Sequence, residues 1–157
     1  MGVARKIAKR SSCKHYNVGM VFTKGDQLLS LGYNGAPRKE PNCCEVGCAK
    51  EIDGKVLPSG SGMCRGSHAE INAISNASRN GVNLEGCTVY GTWSPCYDCA
   101  KHLVNLGVIE FIYETKYKQE FSKVKKLFNN QGISLITFRT KIRKQGEEIL
   151  REKLGIT

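Results

Sequence analysis

An α/β fold built on a mixed sheet is what this sequence predicts, and three observations predict it. Two β-rich runs stand side by side near the N-terminus, strand-like and helix-like segments alternate from residue 66 onward, and no internal repeat or linker divides the chain. At 157 residues the chain has the size of one domain with one hydrophobic core, so residues 1–157 are read as a single unit. The composition, 40% hydrophobic and 24% charged, is that of a globular protein.

The elements follow in order. The first dozen residues have helix-forming composition and end near "SSCK". "NVGMVFT" and "QLLSLGY" are rich in β-formers and are separated by "KGD", which predicts a hairpin. From about residue 36 to 65 turn residues dominate, in "NGAPRKEPN" and "LPSGSG". A loop of that length in a compact domain calls for a function or an internal staple. "HAEINAISNASRNG" then reads as a helix closed by Gly81, "CTVYGT" as a strand, and "PCYDCAKHLVNLG" as a helix with Pro95 in its first turn and Gly107 past its end. "VIEFIYE" is another strand. "EFSKVKKLFNN" places Phe121, Val124, Leu127 and Phe128 on one helical face, "ISLITF" returns as a strand, and "KQGEEILREKLG" predicts a last surface helix.

Charge and length exclude some functions. No apolar run approaches the roughly 20 residues that span a bilayer, and "MGVARKIAKR" lacks the apolar core of a signal peptide, so no membrane partner and a cytoplasmic location are expected. The net charge of +10 suits nucleic acid or any anionic substrate. Much of it sits at the two ends, in Arg5, Lys6, Lys9 and Arg10 and again in Lys123, Lys125, Lys126, Lys141, Arg143 and Lys144. Solvated basic helix faces account for that distribution more simply than a nucleic-acid groove.

The eight cysteines carry more information. In a reducing compartment they point to metal or catalysis rather than four disulfides. Cys87, inside an apolar strand, reads as core. Cys96 and Cys99 in "SPCYDC" fall at i and i+3 where a helix starts. That spacing puts both sulfurs on one side, and the helix dipole favours thiolates there. A CxxC pair also suits redox chemistry, so its company decides. "GSHAEINAI" supplies the company: His68 adds a third ligand and leaves zinc one position for water. Residues two apart on a regular helix point about 200° apart, so His68 and Glu70 share a pocket only if His68 sits at the helix mouth. That spacing makes Glu70 a poor co-ligand and frees it for acid–base work.

H-x-E paired with P-C-x-x-C is the signature of zinc nucleobase deaminases. Through "SSCKHYNVG", "GYNGAPR", "CRGSHAEINAI", "GTWSPCYDCAK" and "LGVIEFIYETKY" the chain resembles the cytidine and deoxycytidylate deaminase superfamily, and most closely its dCMP deaminases. The resemblance implies a three-layer α/β/α fold with a five-stranded mixed sheet and assembly as a homo-oligomer, often a hexamer. It implies hydrolysis of dCMP to dUMP and ammonia by a zinc-activated water, with His68, Cys96 and Cys99 as zinc ligands and Glu70 as proton shuttle. It places the backbone of Ala69 and Ser94 at the base edge, Asn34 at the sugar and Tyr117 near the nucleotide. A left-handed turn is the other reading of Asn34, and plain packing the other reading of Tyr117. A 5′-phosphate needs cations or backbone N–H groups, for which Arg38 is the first candidate, ahead of Lys39 and Lys118.

The resemblance also implies a second, structural zinc held by Cys13, Cys43, Cys48 and Cys64, which would staple the long loop to the first helix. Cys44 would be spare. Two departures fall in this region: Lys39 stands where many relatives have glycine, and Asn42 where "PHC" is more usual. Other substrates stay open, among them another cytosine nucleotide or nucleoside and adenosine in tRNA. So does a catalytically inactive zinc-binding module, although Glu70 would have no use in one.

Overall fold

The computed structural model describes residues 1–58 and 61–154. Ser59 and Gly60 of the cysteine-rich insertion, and residues 155–157 beyond the last helix, lie outside them. The chain begins with helix α1 (Gly2–Ala8), followed by the hairpin strands β1 (Gly19–Lys24) and β2 (Gln27–Tyr33). After the insertion come α3 (Ala69–Arg79), β5 (Thr88–Trp93), α4 (Tyr97–Asn105), β6 (Glu110–Thr115), α5 (Phe121–Asn130), β7 (Ser134–Thr137) and α6 (Phe138–Leu154). Within the insertion lie a four-residue helix α2 (Cys43–Val46) and a small hairpin of β3 (Glu51–Ile52) and β4 (Lys55–Val56).

The main sheet has five strands in the order β2-β1-β5-β6-β7. β1 pairs antiparallel with β2 and β5, while β5–β6 and β6–β7 are parallel, so the sheet is mixed, as the sequence predicts. Met20 lies opposite both Gly32 and Gly91, and Phe22 opposite both Ser30 and Val89. This face, with Phe111 and Tyr113, packs under α3, α4 and α5 to form the main core. The other face meets α1 and α6, which gives three layers. Two glycines set the approach of the helices. A Cβ at Gly32 would lie 2.4 Å from the Ala69 carbonyl oxygen, and one at Gly19 would lie 2.2 Å from that of Ala4. Only glycine lets α3 and α1 come that close to the sheet.

β2 is an edge strand, and side chains of α3 occupy it. Asn72 Nδ2 donates to the Tyr33 carbonyl at 2.7 Å and Asn76 Nδ2 to that of Leu31 at 2.9 Å. The edge is thus covered, and α3 is fixed in register against it.

Several element boundaries differ from expectation. Helix α1 stops at Ala8 rather than running a dozen residues. α4 starts at Tyr97 with Cys96 as its N-cap, so Pro95 precedes the helix instead of entering its first turn. The last helix begins at Phe138, six residues before the expected Lys144, because Thr137 Oγ1 accepts from Thr140 N at 3.1 Å and caps it directly off β7. The insertion carries structure where only turns were expected: Asp53 (φ 49°) and Gly54 (φ 73°) both take positive φ, the tight hairpin turn that Asp-Gly favours. Cys87 is fully buried, as read, and burial pushes its thiol up to about 11. No helix among the described residues is long and apolar enough to cross a membrane.

Candidate active site

His68 and Cys96 are both N-cap residues with extended backbone, His68 at φ −72°, ψ 153° before α3 and Cys96 at φ −72°, ψ 168° before α4. An N-cap side chain leaves the helix axially rather than radially, and this resolves the awkward H-x-E spacing. His68 reaches across from the mouth of α3 while Glu70, the second residue of the helix, turns into the same cavity. Cys99, three residues into α4, meets them from the other helix, its N–H donating to Cys96 Sγ at 3.4 Å.

The three donors form one cluster. His68 Nδ1 is 3.4 Å from Cys96 Sγ and 3.4 Å from Cys99 Sγ, and all three donor atoms lie within 4.8 Å of one another. Tetrahedral zinc, with bonds of about 2.0–2.1 Å to nitrogen and 2.3 Å to sulfur, sets nitrogen and sulfur ligands roughly 3.6 Å apart, so the donor set fits the ion. Its protonation fits as well. A hydrogen bond from Cys99, with His68 beside it, draws the Cys96 thiol down to about 4. Cys99 is driven upward by that same bond and by burial. His68 is raised to about 9, first by its bond to Cys96. The pair thus favours a thiolate on Cys96 and a proton on Cys99, and a cation entering the site would displace the remaining protons.

Glu70 is 4% exposed, and burial pushes its carboxyl up to about 7, the range of a general acid–base group working near neutrality. The cavity wall above it includes Tyr16 and Trp93, in edge-to-face contact at 5.5 Å, which suits a flat aromatic ligand.

The other expected residues divide. Asn34 lines the cavity outside the left-handed region; its Oδ1 accepts from Val18 N at 2.8 Å and its Nδ2 donates to the Tyr16 carbonyl at 2.8 Å. One amide hydrogen and one lone pair remain for a ligand. Ala69 opens α3, where a backbone N–H has no intrahelical partner. Ser94 N donates to the Thr115 carbonyl and Ser94 Oγ accepts from Tyr117 N, each at 2.8 Å, and the residue lines the cavity. Arg38, Lys39 and Lys118 are exposed and stand outside the cavity lining. The cations that do line it are Lys50 and Arg65, neither singled out by the sequence. The signal for Arg65 was its place in "CRGSHAE", three residues before a ligand.

Cys13, Cys43, Cys48 and Cys64 all border the same cavity. Burial raises the Cys43 thiol, as do Cys48 and Cys13, while Arg65 lowers it, so these side chains sense one another. Among the described residues, however, His68, Cys96 and Cys99 are the one group of three or more donors gathered within 4.8 Å. Cys44 is exposed and absent from the lining.

Residues 1–115 match the model of the cytidine and deoxycytidylate deaminase zinc-binding region. The chain is 33% identical to a deoxycytidylate deaminase of Schizosaccharomyces pombe over 86% of its own length, although it spans only 41% of that protein. It is 29% identical to the deoxycytidylate deaminase of Enterobacteria phage T4, covering 85% of this chain and 84% of the phage enzyme. The solved dCMP deaminase of cyanophage S-TIM5, in complex with dCMP and dUMP, superposes with a TM-score of 0.72 at 25% identity, over 87% of this chain and 92% of that one. With the His68–Cys96–Cys99 cluster and buried Glu70 in place, the chain belongs to the zinc-dependent cytidine and deoxycytidylate deaminase family.

Proposed function

We propose that this protein hydrolyses dCMP to dUMP and ammonia. The observation that carries the reading is a buried carboxyl with a pKa near neutrality, Glu70, facing a three-donor cluster beneath an aromatic wall. Zinc, which His68, Cys96 and Cys99 would hold, would supply a Lewis acid that lowers the pKa of the attacking water toward 7. The chain's own residues do the rest. Tyr16 and Trp93 receive the cytosine ring, and the Ala69 N–H and Ser94 carbonyl are the backbone groups available to its edge. Asn34 offers its remaining hydrogen to the sugar. Glu70 takes a proton from the attacking water and delivers it to ring N3. It then carries a second proton to the amino group, which leaves as ammonia while the carbonyl of uracil forms.

The same reading takes residues 1–157 as one catalytic domain, cytoplasmic and assembled as a homo-oligomer such as a hexamer. The second zinc belongs to it too, with Cys13, Cys43, Cys48 and Cys64 drawn together on binding. An ultraviolet assay of the zinc-loaded protein on dCMP tests the activity. Glu70→Ala is expected to lower turnover at least about 10³-fold while zinc content stays the same. No turnover by the wild type on dCMP would sink the reading, and loss of zinc from the variant would show that Glu70 is a ligand.

A further inference from the structure

We infer that Glu120 is a positioning residue for the metal centre; this rests on the zinc ligation proposed above. It acts through the N-terminus of α4, where it helps to hold Cys96 and Cys99 within reach of His68. Helix α4 starts, like any helix, with N–H groups that have no partner inside it. That of Cys99 is satisfied within the first turn, by Cys96 Sγ at 3.4 Å. That of Tyr97, the residue after Cys96, is satisfied from outside: it donates to Glu120 Oε2 at 3.1 Å, across 23 residues of sequence. A carboxylate at that end also meets the positive pole of the helix.

Glu120 has no such use in its own helix. It is the N-cap of α5, yet its side chain makes no capping bond there, and its ψ of 9° departs from the extended backbone that capping uses. The side chain crosses to α4 instead. Its base is firm, since the adjacent Phe121 packs edge-to-face at 5.6 Å on Tyr113, a buried residue of β6. Two further bonds join the same pair of segments: Ser94 N donates to the Thr115 carbonyl and Tyr117 N to Ser94 Oγ, each at 2.8 Å. Residues 115–120 thus grip the chain on both sides of Cys96, with the fully buried Pro95 fixing φ between the grips. The donor atoms of His68, Cys96 and Cys99, all within 4.8 Å of one another, gain from such a frame. Partners that orient a ligand from behind typically change metal affinity about 10- to 100-fold.

The experiment measures the zinc dissociation constant by chelator competition and the visible absorption of the cobalt-substituted protein. The proteins are wild type, Glu120→Ala, Glu120→Asp, Glu120→Gln and, as a control, Thr137→Val, which removes the cap of α6 outside the cavity lining. Glu120→Ala is expected to raise the zinc dissociation constant about 10- to 100-fold and to shift the cobalt bands. Glu120→Asp keeps the charge but not the reach and should resemble it. Glu120→Gln keeps both reach and acceptor and should stay within about threefold of wild type. Thr137→Val should lose thermal stability with zinc affinity and spectrum unchanged. Wild-type values in Glu120→Ala, no rescue in Glu120→Gln, or an equal loss of affinity in Thr137→Val would each overturn the assignment. If Glu120→Ala does not fold, Asp and Gln variants that behave alike overturn it equally. Turnover of dCMP, measured beside these, keeps the two readings apart. A wild type inert on dCMP but with the expected metal affinities removes the deamination alone, whereas an active wild type with unmoved affinities removes this inference alone.

Discussion

Two sets of thiols border one cavity, and what supports them differs. Cys96 and Cys99 sit on the first turn of α4, a helix whose Ala100 and Leu103 are fully buried in the main core, and His68 sits at the mouth of α3, pressed onto Gly32. Cys43, Cys48 and Cys64 sit on an insertion built of a single helical turn and a hairpin of two-residue strands. The first set is gathered within 4.8 Å; the second borders the cavity without forming such a group among the described residues. Rigid packed elements can hold donors together before a metal arrives, because the core has already offset the cost of crowding them. A loop with little core of its own needs the metal to bring its donors in.

The largest expected effect breaks the two sets apart. Cys99→Ser should lose the catalytic zinc and with it turnover, by at least about 10³-fold, while Cys43→Ser should keep the catalytic zinc and lose stability instead. Metal content per chain and dCMP turnover, measured on both variants, check this. If the insertion binds its own ion, Cys43→Ser lowers total zinc without emptying the catalytic site. Zinc and activity retained in Cys99→Ser would end the distinction.

A smaller effect concerns what the preformed site costs when no metal is present. Glu70 is raised from 4.5 to about 7, chiefly by burial, so the folded chain binds its proton more tightly than the unfolded chain does. The sign follows. That contribution is fully present below about pH 4.5 and disappears as pH rises through 7, with a ceiling of roughly 3 kcal/mol. His68 and Cys96 titrate too, in opposite senses, and because the Glu70 charge helps to raise His68, the comparison with Glu70→Gln reads the carboxyl together with its coupling to that ring. The difference in denaturant stability between metal-free wild type and Glu70→Gln should therefore move against the wild type from pH 5 to 8. A flat difference would mean that the carboxyl is not desolvated.

The same contrast explains what could be read from the sequence. "HAE" and "SPCYDC" were legible because capping and the turn of a helix determine where N-cap and third-residue side chains go, and both rules act over a few residues. The alternation of strands and helices from residue 66 was legible because each element buries a periodic face. Lys50 and Arg65 were not legible as the cations of the cavity lining, and Arg38 looked better, because the choice depends on how the insertion folds back over the cavity. The β3–β4 hairpin left only "EIDGKV", two residues on either side of an Asp-Gly turn, too short for alternation to show. α6 began early because Thr137 serves both as the last strand residue and as a cap, and a periodic pattern does not reveal such a double use.

The smallest effect probes the insertion itself. Within it Gly47 (φ 86°) and Gly54 (φ 73°) take left-handed backbone at no steric penalty, but Lys39 takes φ 70° with a Cβ. A non-glycine residue there costs roughly 1–2 kcal/mol, and glycine returns part of the gain through the greater freedom of the unfolded chain. Lys39→Gly should therefore stabilise the protein by about 1 kcal/mol, or roughly 2–4 °C in Tm for a domain of this size. Thermal unfolding of the zinc-loaded protein reads that shift, and the KM for dCMP measured beside it reads something more. Lys39 is exposed and outside the cavity lining, so a stabilised variant with an unchanged KM leaves the insertion's turn with a purely conformational role. A KM raised tenfold or more would instead place substrate recognition on the turn at residues 37–40.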